Sequence, residues 1–230
     1  MQLLIDHANL RAIRQSLDDF PIDGVTTNPS ILAREGGNPL ETLRAIRRLL
    51  PEDAVLHAQG VATSAESLVA EARALRGEFG DNLFVKIPVT AAGLRAIKIL
   101  GKEGFPITAT GVYSPMQAFV AAKAGARYVA PYVNRLDNMG VDGVEVVAQI
   151  QEIFRANALD SDVLAASFKN SRQVLSLARL GVGAVTMAPS VLASLVGHAA
   201  TTAAISEQNG DLAKLIGQER TMLDLIDEAH

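Results

Sequence analysis

The strongest constraint on the fold of this chain is a regular alternation of short β-rich apolar runs with helical segments. We predict eight strands, at residues 2–6, 24–28, 55–60, 83–89, 107–113, 128–133, 162–168 and 184–189. The first and last runs start at residues 2 and 184, so the mean repeat is about 26 residues. That length suits one strand, one helix and two short loops. Eight such units in one chain predict a (β/α)8 TIM barrel, an α/β fold.

The alternative fold is a doubly wound sheet, but the glycine-rich turn of its dinucleotide site is missing. The nearest segment, GVGAV at 181–185, precedes a predicted strand, whereas that fingerprint must follow one. No linker or shift in composition divides the chain, so we predict a single barrel domain over residues 1–230. Residues 199–230 are expected to form a C-terminal helical extension. Leucines and isoleucines between 211 and 228 follow one helical stripe, and packing on the barrel is the default expectation.

Charge and composition argue against several classes of function. The formal net charge is −4, and no block of Lys and Arg offers a local grip on nucleic acid. The absence of cysteine excludes disulfides, thiolate catalysis and Cys-ligated zinc. The four histidines lack ligand spacing, so neither a metal nor another cofactor is expected. Residues 180–206 are uncharged but interrupted by Gly and Pro, and the N-terminus lacks a signal-peptide pattern; we therefore predict a cytoplasmic protein without a membrane span.

Lys86 is the residue that points most directly to chemistry, because it lies inside the apolar run LFVKIPV at 83–89. A buried lysine loses hydration, which lowers the pKa of its amine and makes the neutral nucleophile available. Such an amine forms Schiff bases with ketones and aldehydes, and the iminium permits cleavage of the adjacent C–C bond. Barrel enzymes carry their chemistry at the C-terminal ends of the strands. Other polar side chains fall at those ends here: Asp6, Thr26, Asn28, Gln59, Thr110, Tyr132 and Ser167.

Two cations follow the sixth and seventh predicted strands. Arg135 in NRLD, with Ser167 and Lys169 in ASFK, would suit a phosphate monoester, although the cations could also be ordinary exposed loop residues. The residues alone therefore predict a lysine aldolase acting on sugar phosphates. A non-catalytic sugar-phosphate-binding barrel is the alternative from another class, but binding alone does not explain the cost of burying Lys86.

Four segments resemble the small transaldolase-like family: GVTTNPSIL at 24–32, VKIPVTAAGLRAIK at 85–98, YVAPYVNRLD at 128–137 and AASFK at 165–169. The resemblance runs in register from residue 1 to beyond 190. It is greatest to the branch that cleaves fructose 6-phosphate to dihydroxyacetone and glyceraldehyde 3-phosphate. It implies that Lys86 attacks the C2 carbonyl of a ketose while Asp6 assists proton transfers. It also implies a homo-oligomer, often five subunits paired into a decamer, which the C-terminal helix helps to form.

The same resemblance implies roles for the remaining site residues. Those expected to bind substrate are Thr26 and Asn28 at its hydroxylated end, and Arg135, Ser167 and Lys169 near its phosphate. Those expected to hold the catalytic water are Gln59, Thr110 and Tyr132. This water would take the proton from the C4 hydroxyl as the C3–C4 bond breaks.

Two positions separate an aldolase from a transaldolase, and two others depart from the family pattern. Transaldolases typically have glutamate at position 59 and phenylalanine at position 132, where this chain has Gln59 and Tyr132. A phenol can order a water and donate a proton, which favours release of dihydroxyacetone, so we expect an aldolase and keep transaldolase as the alternative. His7 replaces a small hydroxyl residue, and His57 replaces an aromatic one. We expect His57 to be a hydrogen-bonded core residue or to tune the pocket.

Overall fold

The computed structural model describes residues 1–228 and contains a closed barrel of eight parallel strands in sequence order. The strands are β1 Gln2–Asp6, β2 Gly24–Thr26, β3 Val55–Gln59, β4 Leu83–Pro88, β5 Ile107–Val112, β6 Tyr128–Pro131, β7 Asp162–Ala165 and β8 Ala184–Met187. The barrel closes where β8 pairs with β1, with Leu3 opposite Val185. The predicted TIM barrel is therefore confirmed, and a doubly wound sheet is excluded.

Helices connect successive strands, and further helices come after β8 in the sequence. They are α1 Leu10–Asp19, α2 Pro29–Glu35, α3 Pro39–Leu49, α4 Ala65–Phe79, α5 Ala91–Lys102, α6 Pro115–Ala124, α7 Val133–Asn138, α8 Gly143–Ala156, α9 Ser171–Leu180, α10 Pro189–Ala193, α11 Ala199–Ile216 and α12 Met222–Glu228. Most begin with a polar cap; the Ser114 hydroxyl, for example, accepts from the backbone N–H of Gln117 at 3.3 Å.

Most strands end earlier than the sequence predicts, because their last residues are used to start the next helix or loop. Asn28 was predicted to end the second strand, but β2 stops at Thr26 and the Asn28 side chain caps α2 by accepting from the N–H of Ile31 at 3.0 Å. Tyr132 precedes the first residue of α7, and Ser167 lies in the loop after β7. These three side chains therefore belong to the loops at the barrel mouth.

Strand alternation divides the barrel into an outer apolar layer and a mixed interior. Outward side chains such as Val85 and Ile87 are fully buried against the helices. The interior has an apolar cluster around Leu4, Tyr128 and Leu164. The inward side chains of Asp6, Lys86 and Thr110 lie nearer the C-terminal ends of their strands, so the fold itself directs them toward one mouth.

Helix α5 approaches the end of β4 so closely that only glycine fits at its third position. A Cβ atom on Gly93 would overlap the carbonyl oxygen of Pro88, the last residue of β4. The Thr90 hydroxyl accepts from the Gly93 N–H at 3.0 Å and fixes the turn between the two elements. This contact holds the strand that carries Lys86.

Residues from 193 onward form a second compact unit containing α11 and α12, whereas residues 1–192 form the first. The predicted C-terminal helices are present, but Gly217 follows α11 and interrupts the predicted stripe. Leu215, Leu223 and Ile226 are 83%, 65% and 52% exposed, and packing of the stripe on the barrel stays a prediction. Residues 229 and 230 of the predicted extension lie outside the described residues, and the single domain over 1–230 stays a prediction. Within residues 1–228, every helix is too short or too polar to span a bilayer.

Candidate active site

Lys86 lies inside the barrel near the end of β4 and is only 5% exposed. Its ammonium nitrogen Nζ donates to the carbonyl oxygen of Thr27 at 2.7 Å. Burial lowers the pKa of Lys86 below its ordinary value, and the negative charge of Asp6 partly opposes that shift. The neutral amine is therefore more available than in an exposed lysine, which is the condition for a nucleophile.

Asp6 ends β1 and is held by the hydroxyl of Thr26, which is itself bound by a hydroxyl from a third strand. The Thr26 hydroxyl donates to Asp6 Oδ1 at 2.7 Å, and the Thr186 hydroxyl lies 2.7 Å from the Thr26 oxygen. Because Thr26 gives its proton to Asp6, Thr186 donates to Thr26. These two hydrogen bonds fix the carboxylate of Asp6, whose charge acts on Lys86. The carboxylate is therefore placed to exchange protons with a carbinolamine on the lysine.

Tyr132 is fixed at the mouth by contacts to both its hydroxyl and its ring. Its hydroxyl lies 2.8 Å from that of Thr110, so the two share a hydrogen bond. The Arg135 guanidinium stacks 4.5 Å above the ring, and the ring meets that of Tyr113 edge-on at 5.5 Å. The predicted pair of Thr110 and Tyr132 is therefore brought together with its hydroxyls oriented.

Gln59 ends β3 directly beside Lys86, since the two are paired residues of adjacent parallel strands. The loop after Gln59 is tied down because the backbone N–H groups of Val61 and Ala62 both donate to Glu71 Oε2 at 2.9 Å. The Gly60 N–H donates to the Lys86 carbonyl oxygen at 3.0 Å. These bonds fix the start of the loop relative to the nucleophile.

A cavity of about 480 Å³ opens at the mouth, a size within the range that holds small-molecule ligands. Its lining includes Asp6, Asn28 and Arg135. Ser167 and Lys169 are not among its lining residues: Ser167 has φ 64° and its carbonyl oxygen accepts from Asn134 N–H, while Lys169 is exposed. Of the three residues predicted near the phosphate, only Arg135 lines this cavity.

The sequence interpretation missed two threonines of the site. The Thr27 carbonyl oxygen binds Lys86, but a backbone acceptor leaves no residue-type signal. Thr186 was detectable, because strand alternation puts it on the same face of β8 as Ala184, which faces the barrel interior. Among residues 1–228, no group of three His, Asp or Glu side chains is arranged to hold a metal.

His57 lies below Lys86 in the barrel interior and is fully enclosed. Its ring stacks on Phe84 with centroids 4.6 Å apart, and its Nδ1 lies 3.0 Å from the Thr108 hydroxyl. Its Nε2 has no hydrogen-bond partner among the described residues. Burial, and secondly the charge of Lys86, lower the pKa of His57 to about 3. The expectation of a hydrogen-bonded core residue is confirmed, and the ring is neutral in the folded chain.

We expect His57 to make the fold sensitive to acid. In the unfolded chain histidine binds a proton below pH ~6.5, whereas folded His57 stays neutral down to about pH 3. Between these values the unfolded state binds more protons, so the free energy of unfolding falls as the pH falls, by about 2 kcal/mol between pH 7 and pH 5. His57→Phe, which keeps a ring on Phe84, should remove this decrease in urea unfolding.

The comparison between the two pH values cancels the pH-independent cost of leaving Thr108 without its partner. His198→Asn is the matched control, because His198 is exposed. It should retain the parent dependence on pH. An undiminished loss of stability on acidification in His57→Phe would contradict the assignment.

Comparison with known proteins identifies relatives of the chain. The sequence model of the family described as Transaldolase/Fructose-6-phosphate aldolase matches residues 3–229. A protein of Nitrosopumilus maritimus (strain SCM1) named "Probable transaldolase" is 39% identical over 202 residues, 87% of this chain and 90% of that protein. Among solved structures, a mandelate oxidase mutant with a monooxide FMN adduct matches with a TM-score of 0.56 and 12% identity. That match covers 82% of this chain but spans only 64% of the other, and it shows the fold alone.

Proposed function

Since the chain belongs to the transaldolase/fructose-6-phosphate aldolase family, a family of sugar-phosphate enzymes, we propose that it breaks and forms a C–C bond through a Schiff base at Lys86. The observation that carries this proposal is the buried amine, whose pKa is lowered and which has Asp6 as its neighbouring charge. Burial of a lysine that has only a structural role costs free energy without a benefit to function. Burial of a nucleophilic lysine lowers its pKa and so raises the fraction of neutral amine.

The first step joins the ketose to the enzyme. Neutral Lys86 attacks the C2 carbonyl carbon, and the carbinolamine forms as the carbonyl oxygen takes up one proton and the nitrogen loses one. A second proton converts its hydroxyl into water, which leaves as the C=N bond of the iminium forms. Asp6 is suited to carry these protons, because its charge acts on Lys86 from the end of β1 and one of its oxygens is fixed by Thr26.

The second step breaks the sugar chain. A base takes the proton of the C4 hydroxyl, the electron pair of the C3–C4 bond flows to the iminium nitrogen, and an aldose phosphate leaves. The product on Lys86 is the enamine of dihydroxyacetone. A water bound by Gln59, Thr110 and Tyr132 is the proposed base, supported by the fixed hydroxyl pair at 2.8 Å.

The fate of the enamine distinguishes two candidate activities. In an aldolase the enamine is protonated at carbon, water attacks C2, and dihydroxyacetone leaves while Lys86 is regenerated. In a transaldolase the enamine carbon instead attacks a second aldose. The name of the relative from Nitrosopumilus maritimus favours transfer. The Tyr132 hydroxyl favours release, since it can order the water that hydrolysis needs.

We propose release as the main reaction, because its support comes from side chains of this chain at the point where the two reactions part. Fructose 6-phosphate alone should then yield dihydroxyacetone and glyceraldehyde 3-phosphate, measured by coupled enzymatic assays. A transaldolase would instead form sedoheptulose 7-phosphate when erythrose 4-phosphate is added. Without erythrose 4-phosphate it would release no dihydroxyacetone.

Borohydride reduction tests the chemistry that both candidates share. With dihydroxyacetone present it should convert the iminium into a stable secondary amine on the peptide containing Lys86, detected by mass mapping. An unmodified Lys86 would instead leave a sugar-phosphate-binding barrel without catalysis. A homo-oligomer of five or ten subunits and a cytoplasmic location remain predictions from the sequence.

A further inference from the structure

We propose that Arg34 and His7, together with Arg135, form an anion-binding subsite for the phosphate of the sugar substrate. The inference rests on the proposed function. The three side chains come from α2, from the loop after β1 and from α7, yet they line the same cavity of about 480 Å³ as Asp6.

Lys86 does not itself line this cavity, but two of the lining residues relate the cavity to the lysine. Asn28 lines it, and the preceding residue, Thr27, accepts the hydrogen bond of Lys86 Nζ at 2.7 Å. Asp6, whose charge acts on the lysine, lines it as well. In the proposed arrangement, a ketose bonded to Lys86 through C2 places its phosphorylated end beyond Asp6 and Asn28, in the cavity that these two residues line.

Helix geometry brings Arg34 over this space. In α2, residue 34 shares a face with residues 30 and 31, and helical side chains lean toward the N-terminus of the helix. Ser30 and Ile31 line the cavity, so the guanidinium lies over the same wall. Glu35, its neighbour in sequence, is engaged elsewhere by accepting from Asn9 Nδ2 at 2.8 Å.

The charge of Arg34 is available for a ligand. Within residues 1–228 it has no ion pair or hydrogen bond, in contrast to Arg44, which pairs with both Glu41 and Glu78. A guanidinium offers two parallel N–H groups to phosphate oxygens, the geometry that phosphate recognition uses most.

His7 contributes a donor whose direction the backbone determines. The Asn9 backbone N–H donates to His7 Nδ1 at 2.9 Å, so the neutral ring carries its proton on Nε2. The lining of the cavity thus contains two guanidinium groups and an imidazole N–H, with Asp6 as its one carboxylate. This local excess of positive charge in a chain of net charge −4 suits a phosphate dianion.

The subsite differs from the one that the sequence predicts. Ser167 and Lys169 do not line the cavity, while Arg34 and His7, which carried no predicted substrate role, do. Of the predicted phosphate-binding residues, Arg135 alone is common to both sets.

Discrimination between phosphorylated and unphosphorylated aldoses tests the subsite. The enzyme adds dihydroxyacetone to glyceraldehyde 3-phosphate or to glyceraldehyde. The kcat/KM for the phosphorylated aldose is divided by that for the unphosphorylated aldose, and this ratio is compared among variants. Arg34→Ala should lower this ratio about tenfold through the KM of the phosphorylated aldose, as expected for the loss of one charge-assisted pair. Arg34→Lys should lower it less, and His7→Phe roughly threefold.

Arg48→Ala is the matched control, since Arg48 is another exposed arginine without an ion pair in the described part of the chain and lies outside the cavity. It should keep the parent ratio. An unchanged ratio in Arg34→Ala, or an equal fall in Arg48→Ala, would overturn the subsite. Thermal unfolding of each variant excludes a loss of fold as the cause.

Calorimetric titration of the full chain with inorganic phosphate separates this inference from the proposed reaction. Weaker phosphate binding in Arg34→Ala, together with failure to trap dihydroxyacetone on Lys86, would retain the subsite and remove the aldolase. Successful trapping with unchanged phosphate binding and an unchanged ratio would retain the aldolase and remove the subsite.

Discussion

Lys86→Met is expected to abolish trapping of dihydroxyacetone and to lower kcat/KM by at least about 10⁴-fold, because no other group can form the iminium. Methionine fills the space of the lysine stem without a charge. The variant should therefore fold with at least the parent stability. Burying a charged ammonium group costs free energy, which is also why burial lowers the pKa of Lys86, and methionine avoids this cost. Borohydride labelling, steady-state kinetics and thermal unfolding measure the three quantities.

Lys98→Met provides the matched control, because Lys98 is exposed on α5, the helix that follows β4. It should keep both labelling and activity. Labelling of Lys86→Met at a different peptide, with activity preserved, would show that position 86 is not the nucleophile. In the parent, activity should fall on acidification through the lowered pKa of Lys86, because protonation removes the attacking lone pair.

Tyr132→Phe is expected to lower the release of dihydroxyacetone from fructose 6-phosphate by about 10²–10³-fold, the contribution of a positioned acid–base group. The substitution removes the hydroxyl that lies 2.8 Å from Thr110 but keeps the ring on which Arg135 stacks. Transfer to erythrose 4-phosphate needs no water at C2, so the ratio of transfer to release should rise. Simultaneous assays of dihydroxyacetone and sedoheptulose 7-phosphate measure that ratio.

Tyr128→Phe is the control for this prediction. It removes a hydroxyl that donates to Gln2 Oε1 at 3.1 Å, next to the apolar cluster in the barrel interior and away from the mouth. The ratio of transfer to release should stay at the parent value. If Tyr132→Phe slows transfer and release equally, the Tyr132 hydroxyl acts only before the enamine forms, and the proposed basis for release is wrong.

The barrel was predictable because its signals are local and repeated. Each strand is a short apolar run, and the spacing between runs leaves room for one helix. The burial of Lys86 followed from its apolar neighbours on both sides in β4. The convergence of Asp6, Thr26 and Thr110 on one mouth followed from the parallel order of the strands.

The loops were not predictable in the same way, because their geometry depends on backbone conformation and on distant partners. Asn28 reads as the end of a strand, but its side chain gains more by capping α2. Ser167 has a left-handed φ of 64°, which residue type alone does not signal. Arg34 reaches the cavity through the packing and orientation of α2, which no motif in the chain encodes.

The order in which the barrel closes has a consequence for biosynthesis. Asp6 is held by Thr26, and Thr26 in turn binds Thr186, 160 residues further along the chain. The ribosome therefore synthesises β4, which carries Lys86, long before β8, whose Thr186 helps to hold Asp6 in place. A contact of such long range is formed late and slowly, so a nascent chain stalled before residue 184 should contain Lys86 without a competent site.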